Sequence, residues 1–232
     1  MKISAVSSPT LKLSANKLAL LAALRQQKGL AANANSSIPR RPADIPLVLS
    51  FTQERLWFLE QMEPGQPTYN MPWAFRLQGD LNVAALQQAF TTIVVRHEVL
   101  RTTFAKIDGR PHPVLQPAEE VTIALTQPLN WTDAQRQIAQ EMQCGFDLEQ
   151  GPLLRIKLLR LEPTDHILVL NMHHIVADGW SMDILIQELT MLYEAFTQDQ
   201  DNSLPDLPIQ HSDYAWWQRH APQGEQLEAQ LD

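Results

Sequence analysis

The sequence has little cysteine and glycine and contains no long apolar run. A single cysteine, Cys144, among 232 residues excludes an internal disulfide framework and a cysteine-rich zinc module, and it predicts a reducing, cytoplasmic location. Eight glycines exclude a collagen-like repeat. The apolar run 18–24 is far shorter than the roughly 20 residues that cross a bilayer. With 44% hydrophobic and 19% charged residues, the composition is that of a globular chain.

Acidic residues are absent from positions 1–43, where seven basic residues stand. The chain as a whole has a formal charge of −8, and this overall acidity argues against nucleic-acid binding. Ser14 is a plausible cap for a short amphipathic helix that Gly29 would end, and three prolines follow before position 47. We therefore predict a basic leader with a short helix and a proline-containing linker over 1–46, and a folded body over 47–232.

A targeting segment is one interpretation of the leader. A secretory signal is rejected because charged residues lie between a very short apolar core and Ala32-Asn33-Ala34, which resembles a small-residue cleavage site. A basic, serine-containing leader without acid also fits an organelle transit peptide.

Hydrophobic periodicity in the body alternates between the helical and the strand pattern. Helices are predicted over 52–62, 82–97, 132–143 and 185–198, and strands over 71–77, 100–107, 113–115, 153–161 and 166–173. A tight turn at Pro163 joins the last two strands, so we expect them to pair antiparallel. Helices mixed with hairpin-joined strands predict an α+β fold with helices packed on a mixed β-sheet.

The most informative segment, 172–181, carries two histidines, an aspartate and a glycine where a strand meets a helix. Successive strand side chains point to opposite faces, so His173 and His174 cannot both face one cavity, and only one would take part in chemistry. A neutral imidazole can accept a proton near neutral pH. Asp178 could orient a ring or pair with an arginine, and Gly179 would let a substrate chain pass close to the backbone. Alternatively, the histidines are internally satisfied core groups, or they bind a metal with Asp178.

Four segments in order carry a resemblance to a known family. They are SFTQERLWFL at 50–59, RHEVLRTTF at 96–104, HHIVADGWS at 173–181 and SDYAWW at 212–217. The body resembles the condensation domain of nonribosomal peptide synthetases, in the superfamily that shares the His-His-x-x-x-Asp-Gly motif with chloramphenicol acetyltransferase. Four ordered motifs are hard to obtain by chance, and they argue against histidines with only a core role.

The resemblance implies a chloramphenicol acetyltransferase-like sandwich and a V-shaped domain of two similar subdomains. The later motifs of the family do not occur before Asp232, so we expect 47–232 to be an N-terminal subdomain, truncated at its C-terminal end. The implied partners are the missing C-terminal subdomain, an upstream and a downstream peptidyl carrier domain, and an upstream synthetase subunit that docks on residues 1–44. No nucleic acid or membrane is expected as a partner.

The implied reaction is amide formation between a donor acyl or peptidyl thioester and an acceptor aminoacyl thioester. Both substrates would arrive on 4′-phosphopantetheine arms of carrier proteins, with no bound cofactor or metal. The wording of 53–59 is similar to the subtype that accepts an L-configured donor.

By resemblance, His174 acts as a general base or a hydrogen-bonding positioner of the amine. The backbone N–H of Gly179 is a candidate oxyanion donor. Asp178 would be structural, paired with an arginine, and His173 architectural. The candidate arginines, which either pair or face the substrate tunnel, are Arg55, Arg96 and Arg101. Three other functions stay open: a stand-alone acyl-CoA-type acyltransferase, an epimerisation domain of the same fold, and a noncatalytic docking fragment.

Overall fold

The body contains a five-stranded mixed sheet. The computed structural model describes residues 2–5 (backbone only), 38–202 and 204–220. The strands are β1 (Lys2–Ala5), β2 (Asn70–Gln78), β3 (Thr102–Ile107), β4 (Arg110–Leu115), β5 (Ala124–Thr126), β6 (Leu154–Glu162) and β7 (Asp165–His173). The sheet order is β1-β2-β7-β6-β5, with β5 parallel to β6 and the other pairs antiparallel. Strands β3 and β4 form a separate hairpin.

Five α-helices accompany the sheet within the described residues. They are α1 (Phe51–Met62), α2 (Val83–Arg96), α3 (Trp131–Gln143), α4 (Gly179–Thr197) and α5 (His211–His220). Side-chain oxygens of Ser50, Asn82, Asn130 and Asp178 accept backbone N–H groups at the starts of the first four helices. No helix among the described residues is long and apolar enough to span a membrane.

The core lies on both faces of the sheet, which leaves the central strand β7 without a solvated face. Leu168, Leu170 and Met172 belong to the main core with residues of α2 and α4. Ile167 and Val169 point the other way and pack with Ala134 of α3. Burial on both faces explains the nearly continuous apolar sequence of β7.

The predicted helices and the β6–β7 hairpin are present with boundaries that shift by a few residues. Three described strands or α-helices have no counterpart in the prediction: the strand β1, the three-residue strand β5 and the helix α5. The segment Glu98–Arg101, which we placed partly in a strand, is a 3₁₀ turn that precedes β3. The helix expected between Ser14 and Gly29 lies outside the described residues. The start of the chain adds strand β1 to the edge of β2.

The C-terminal end of β7 is where the histidine motif leaves the sheet. His173 lies opposite Asn70 of β2, and its backbone N–H donates to the Leu153 carbonyl at 3.1 Å. The next amide, that of His174, donates to the Tyr69 carbonyl at 2.9 Å. The backbone of the motif is thus held from both sides as it turns toward α4.

Candidate functional site

His173 is a buried imidazole, with 1% of its surface exposed. Its Nδ1 atom accepts the backbone N–H of Ile175 at 3.1 Å, which closes the turn after β7. The rings of Tyr69 and Phe146 lie 6.1 and 5.9 Å from it between centroids. Burial lowers the pKa of His173 to about 4, so the ring is neutral at neutral pH. These contacts support the predicted architectural role.

His174 is the first residue after strand β7, and its side chain is exposed. Its backbone is fixed by the hydrogen bond from its amide to the Tyr69 carbonyl, and the carbonyl of His173 accepts the Val176 N–H at 3.1 Å. An exposed imidazole therefore stands on a restrained loop, which is the arrangement needed to meet a substrate at a defined place.

Asp178 caps α4. Its carboxylate accepts the Ser181 amide at 2.8 Å and the Ser181 hydroxyl at 2.7 Å, and its own amide donates to that hydroxyl at 3.2 Å. These hydrogen bonds from Ser181 hold the pKa of the Asp178 carboxyl below its ordinary value. The residue is exposed, so its role in the described part of the chain is helix capping.

Within the described residues Asp178 forms no ion pair with an arginine, so the expected pairing stays a prediction. The Arg96 Nε atom lies 3.1 Å from Glu188 on α4, and the Arg101 Nη1 atom donates to the Gln116 carbonyl at 2.6 Å. Arg55 is exposed on α1 and has no ionic partner within the ranges that the structure describes. In the part of the chain that the structure describes, the Asp178 carboxylate instead accepts the amide and the hydroxyl of Ser181, both at Oδ1.

Gly179 begins α4 and faces open space. A Cβ built on it would meet nothing within 4 Å. Its backbone N–H belongs to the first turn of the helix, where amides have no intrahelical acceptor and carry partial positive charge. The position thus suits both predicted uses, the close passage of a substrate and donation to a developing oxyanion.

The first motif contacts the third directly. The Gln53 side-chain amide on α1 donates to the Ile175 carbonyl at 3.2 Å. Glu60, seven residues further along the same helix, places Oε2 3.7 Å from Nε2 of His173. Sequence reasoning assigned no role to either residue, although the helical spacing of 53 and 60 puts both on one face of α1.

The fourth motif and the segment before it contact the second motif. The Ser212 hydroxyl donates to the Glu98 carboxylate at 3.4 Å. Gln210, just before α5, donates to the Arg96 carbonyl at 2.9 Å and accepts the Glu98 amide at 3.2 Å. His211 follows Gln210, and burial lowers its pKa while the negative charge of Asp178 acts in the opposite direction. His211 is therefore a third imidazole, beside His173 and His174, that interacts electrostatically with the motif through Asp178. The prediction missed it because it lies just outside the segment 212–217.

His174 lines neither of two cavities that border the motif elements in the described part of the chain. The larger, about 730 Å³, lies along the start of β6 and includes Arg101, Gln116 and Arg155. The smaller, about 110 Å³, is apolar and lies beside the start of α4, between Val176 and Ile184. No group of three or more His, Cys, Asp or Glu side chains among the described residues is arranged to hold a metal ion.

Comparison with known families identifies the family of this chain. The Condensation domain family profile matches residues 46–232. This chain belongs to the condensation-domain family. That assignment confirms the resemblance drawn from the four motifs.

Similar synthetases agree with this assignment. Malpinin synthetase of Mortierella alpina is 39% identical over 216 residues, which are 90% of this chain and 3% of the synthetase. Phosphinothricin tripeptide synthetase PhsC of Streptomyces viridochromogenes is 42% identical over 208 residues, or 84% of this chain and 19% of that protein. The condensation-domain chain thus spans a small part of the proteins it matches.

Solved structures confirm the fold class. The X-domain from teicoplanin biosynthesis superposes with a TM-score of 0.75 at 29% identity, covering 82% of this chain and 41% of that one. The starter condensation domain of rhizomide synthetase RzmA gives a TM-score of 0.69 at 23% identity, over 80% of this chain and 47% of that one. Helices packed on a mixed sheet are thus the shared architecture, and this chain covers less than half of each neighbour.

Proposed function

We propose that this chain is the histidine-bearing half of a domain that forms an amide bond between two carrier-bound thioesters. The acceptor amine attacks the donor carbonyl, the new C–N bond forms, the C–S bond breaks, and the thiolate of the upstream carrier leaves. The observation that carries the proposal is the exposed His174 on a loop whose backbone is fixed on both sides.

The chemistry needs a neutral amine and a polarised carbonyl. An α-amino group has an ordinary pKa of about 7.7–8.0, so only a fraction of it is neutral at pH 7, and a group that deprotonates or orients it contributes to the rate. His174 supplies that acceptor, either by removing the amine proton or by orienting the amine. The Gly179 N–H donates to the carbonyl oxygen as negative charge develops there, with the dipole of α4 behind it.

Carrier proteins are the proposed partners, since the substrates would be held on 4′-phosphopantetheine arms by the upstream and downstream carriers. The motif wording at 53–59 favours an L-configured donor. A second subdomain beyond this chain, a proposal supported by coverage of 41% and 47% of two solved neighbours, would supply the opposite wall of the substrate tunnel. Holding two arms in register provides effective molarity, which reaches about 10⁵ M or more in well-oriented systems.

The basic leader is proposed to dock an upstream synthetase subunit through an acidic segment of that partner. Seven basic and no acidic residues in 1–43 provide the charge, and the acidic body would repel the same partner segment. Because Lys2–Ala5 also form strand β1, removal of residues 1–44 would change the sheet as well as the charge. Charge reversal is therefore a cleaner test than deletion.

The test of the main proposal is His174→Ala in the complete two-subdomain protein, with loaded donor and acceptor carriers and product detection by mass spectrometry. Amide formation at saturating carrier should fall by about 10²–10⁴-fold, the usual size of an acid–base contribution. His112→Ala, at an exposed histidine on β4, should leave the rate unchanged. An undiminished rate in the His174 variant would refute the catalytic assignment. The 232-residue chain alone should give no product.

A noncatalytic interaction domain is the second candidate. The X-domain neighbour has been solved in complex with OxyB, so this fold can serve protein binding. Product formation that depends on His174 separates the two candidates, because a binding domain needs no exposed imidazole at this place. Turnover of a soluble acyl-CoA without carriers would instead favour a stand-alone acyltransferase.

A further inference from the structure

Glu60 and His173 are two buried titratable side chains that face each other and that the proposed reaction does not use. Glu60 is 5% exposed and His173 1% exposed. The Oε2 atom of Glu60 lies 3.7 Å from Nε2 of His173. That nitrogen has no hydrogen-bond partner among the described residues. Burying a polar atom without a hydrogen-bond partner costs free energy, so the facing Glu60 carboxylate is the acceptor to consider for Nε2 of His173.

The hydrogen bond at the other ring nitrogen determines where the proton of His173 resides. The Ile175 amide donates to Nδ1, so Nδ1 must be unprotonated. Since burial keeps the ring neutral, the single ring proton is on Nε2. That N–H points toward the Glu60 carboxyl, and a small rotation of either side chain would bring the 3.7 Å separation within hydrogen-bond distance.

Glu60 is itself held in place. Its Oε1 atom accepts the Gly65 amide at 2.7 Å, at the turn after α1. The same helix is fixed near its start by the Ser50 cap and by the Gln53 hydrogen bond to the Ile175 carbonyl. Helix α1 therefore contacts the motif on both sides of His174, at residue 173 through Glu60 and at residue 175 through Gln53.

We infer that Glu60 is a positioning residue, which holds His173 in its Nε2–H tautomer and so keeps the loop that carries His174 in its working geometry. With Nε2 as donor to Glu60, Nδ1 stays free to accept the Ile175 amide. The opposite tautomer would place two donors, Nδ1–H and the Ile175 N–H, against each other and would open the turn. The structural part of this inference stands on the contacts alone, and its catalytic consequence rests on the proposed function of His174.

Glu60→Gln is the sharpest perturbation because it preserves shape and reverses polarity. A carboxylate offers acceptors to both the Gly65 amide and His173, whereas an amide side chain has one acceptor and one donor group. If the amide oxygen stays on Gly65, the NH₂ group faces Nε2 and favours the Nδ1–H tautomer. Glu63→Gln, an exposed residue at the end of the same helix, is the matched control.

The readout is the ¹⁵N–¹H correlation spectrum of the histidine rings at neutral pH, with the His173 signals assigned by their loss in His173→Gln. The parent and Glu63→Gln should both show the Nε2–H tautomer, and Glu60→Gln should shift toward Nδ1–H or broaden. An Nδ1–H tautomer in the parent overturns the inference without any variant. So does a Glu60→Gln spectrum identical to that of the parent.

Kinetics of the complete domain then test the link to catalysis. Glu60→Gln should lower kcat for amide formation roughly 10-fold or more while KM for the carriers stays within about twofold, as expected for a group whose loss misplaces a catalytic side chain. An altered tautomer with an unchanged kcat, in a protein where His174→Ala is inactive, overturns the positioning role. If His174→Ala is itself fully active, the proposed function fails, while the tautomer result still decides the structural role of Glu60.

Discussion

The buried imidazole of His173 should make the stability of this fold depend on pH, and a His173→Gln variant should lose that dependence. The ring is almost completely enclosed, and burial lowers its pKa from an ordinary value of 6.5 to about 4. In the unfolded chain the same ring would titrate near 6.5. Between these two pH values the unfolded state binds a proton that the folded state does not bind.

The sign and size follow from linkage between protonation and folding. Because the folded pKa is depressed, the stabilisation is fully present above pH 6.5 and is lost as the pH falls from 6.5 to about 4. A difference of about 2.5 pH units corresponds to about 3 kcal/mol, with a steepest slope of about 1.4 kcal/mol per pH unit. This is a large part of the stability of an ordinary domain, which is about 5–15 kcal/mol.

The assay is urea denaturation of the 232-residue chain between about pH 4.5 and 7.5, followed by tryptophan fluorescence, for the parent, His173→Gln and the exposed control His112→Gln. Burial also lowers the pKa of His166 and of His211, and it raises that of Glu60, so the parent alone does not isolate one ring. The difference in the free energy of unfolding between the parent and His173→Gln isolates the contribution of the His173 ring. It should shrink as the pH falls, and parallel stability curves would refute the buried neutral imidazole.

Three further perturbations follow from the described contacts. Asp178→Ala should cost about 0.5–2 kcal/mol in urea denaturation, the usual loss for a helix cap, and a much larger loss would instead indicate a buried ion pair. Gly145→Ala should lower stability by about 1–3 kcal/mol because its Cβ would clash with the Gly65 carbonyl oxygen. Gly179→Ala, in open space, should have the melting temperature of the parent, and equal melting temperatures for both variants would contradict the packing. Reversing the charge of the four basic residues within 12–28 should impair transfer from a separate upstream subunit but not from a small-molecule thioester, and an equal loss with both donors would disprove docking.

Local sequence signals predicted most of the fold because its elements are regular. Alternating or continuous apolar residues mark β2, β6 and β7, and a turn with Pro163 marks the hairpin between the last two. Strand β5 has only three residues, too few for any periodicity, and it is a strand because the edge of β6 pairs with it. Helix α5 is polar and aromatic, so the apolar-stripe pattern does not detect it.

The site was predictable in its residues and less so in their contacts. The motif alone located His173, His174, Asp178 and Gly179 at the junction of a strand and a helix. Asp178 was assigned an arginine although a local signal was available, since Asp followed three residues later by Ser181 is a capping pattern. Glu60 had no local signal, because its contact with His173 joins positions that are far apart in the sequence.

The two adjacent histidines have different environments, because His173 ends strand β7 inside the core and His174 follows it in an exposed position. A residue at the end of β7 that points into the core must be neutral and hydrogen-bonded, and His173 meets both conditions by accepting from Ile175 and presenting its other nitrogen to Glu60. Its neighbour His174 is exposed, and it is the residue that we propose to meet the substrate. An apolar residue at 173 would fill the space but could not accept the Ile175 amide, so the turn that presents His174 would lose its internal bond. In the positioning role that we infer for Glu60, the placement of His174 therefore depends on the hydrogen bond of His173, and the tautomer of His173 depends on helix α1.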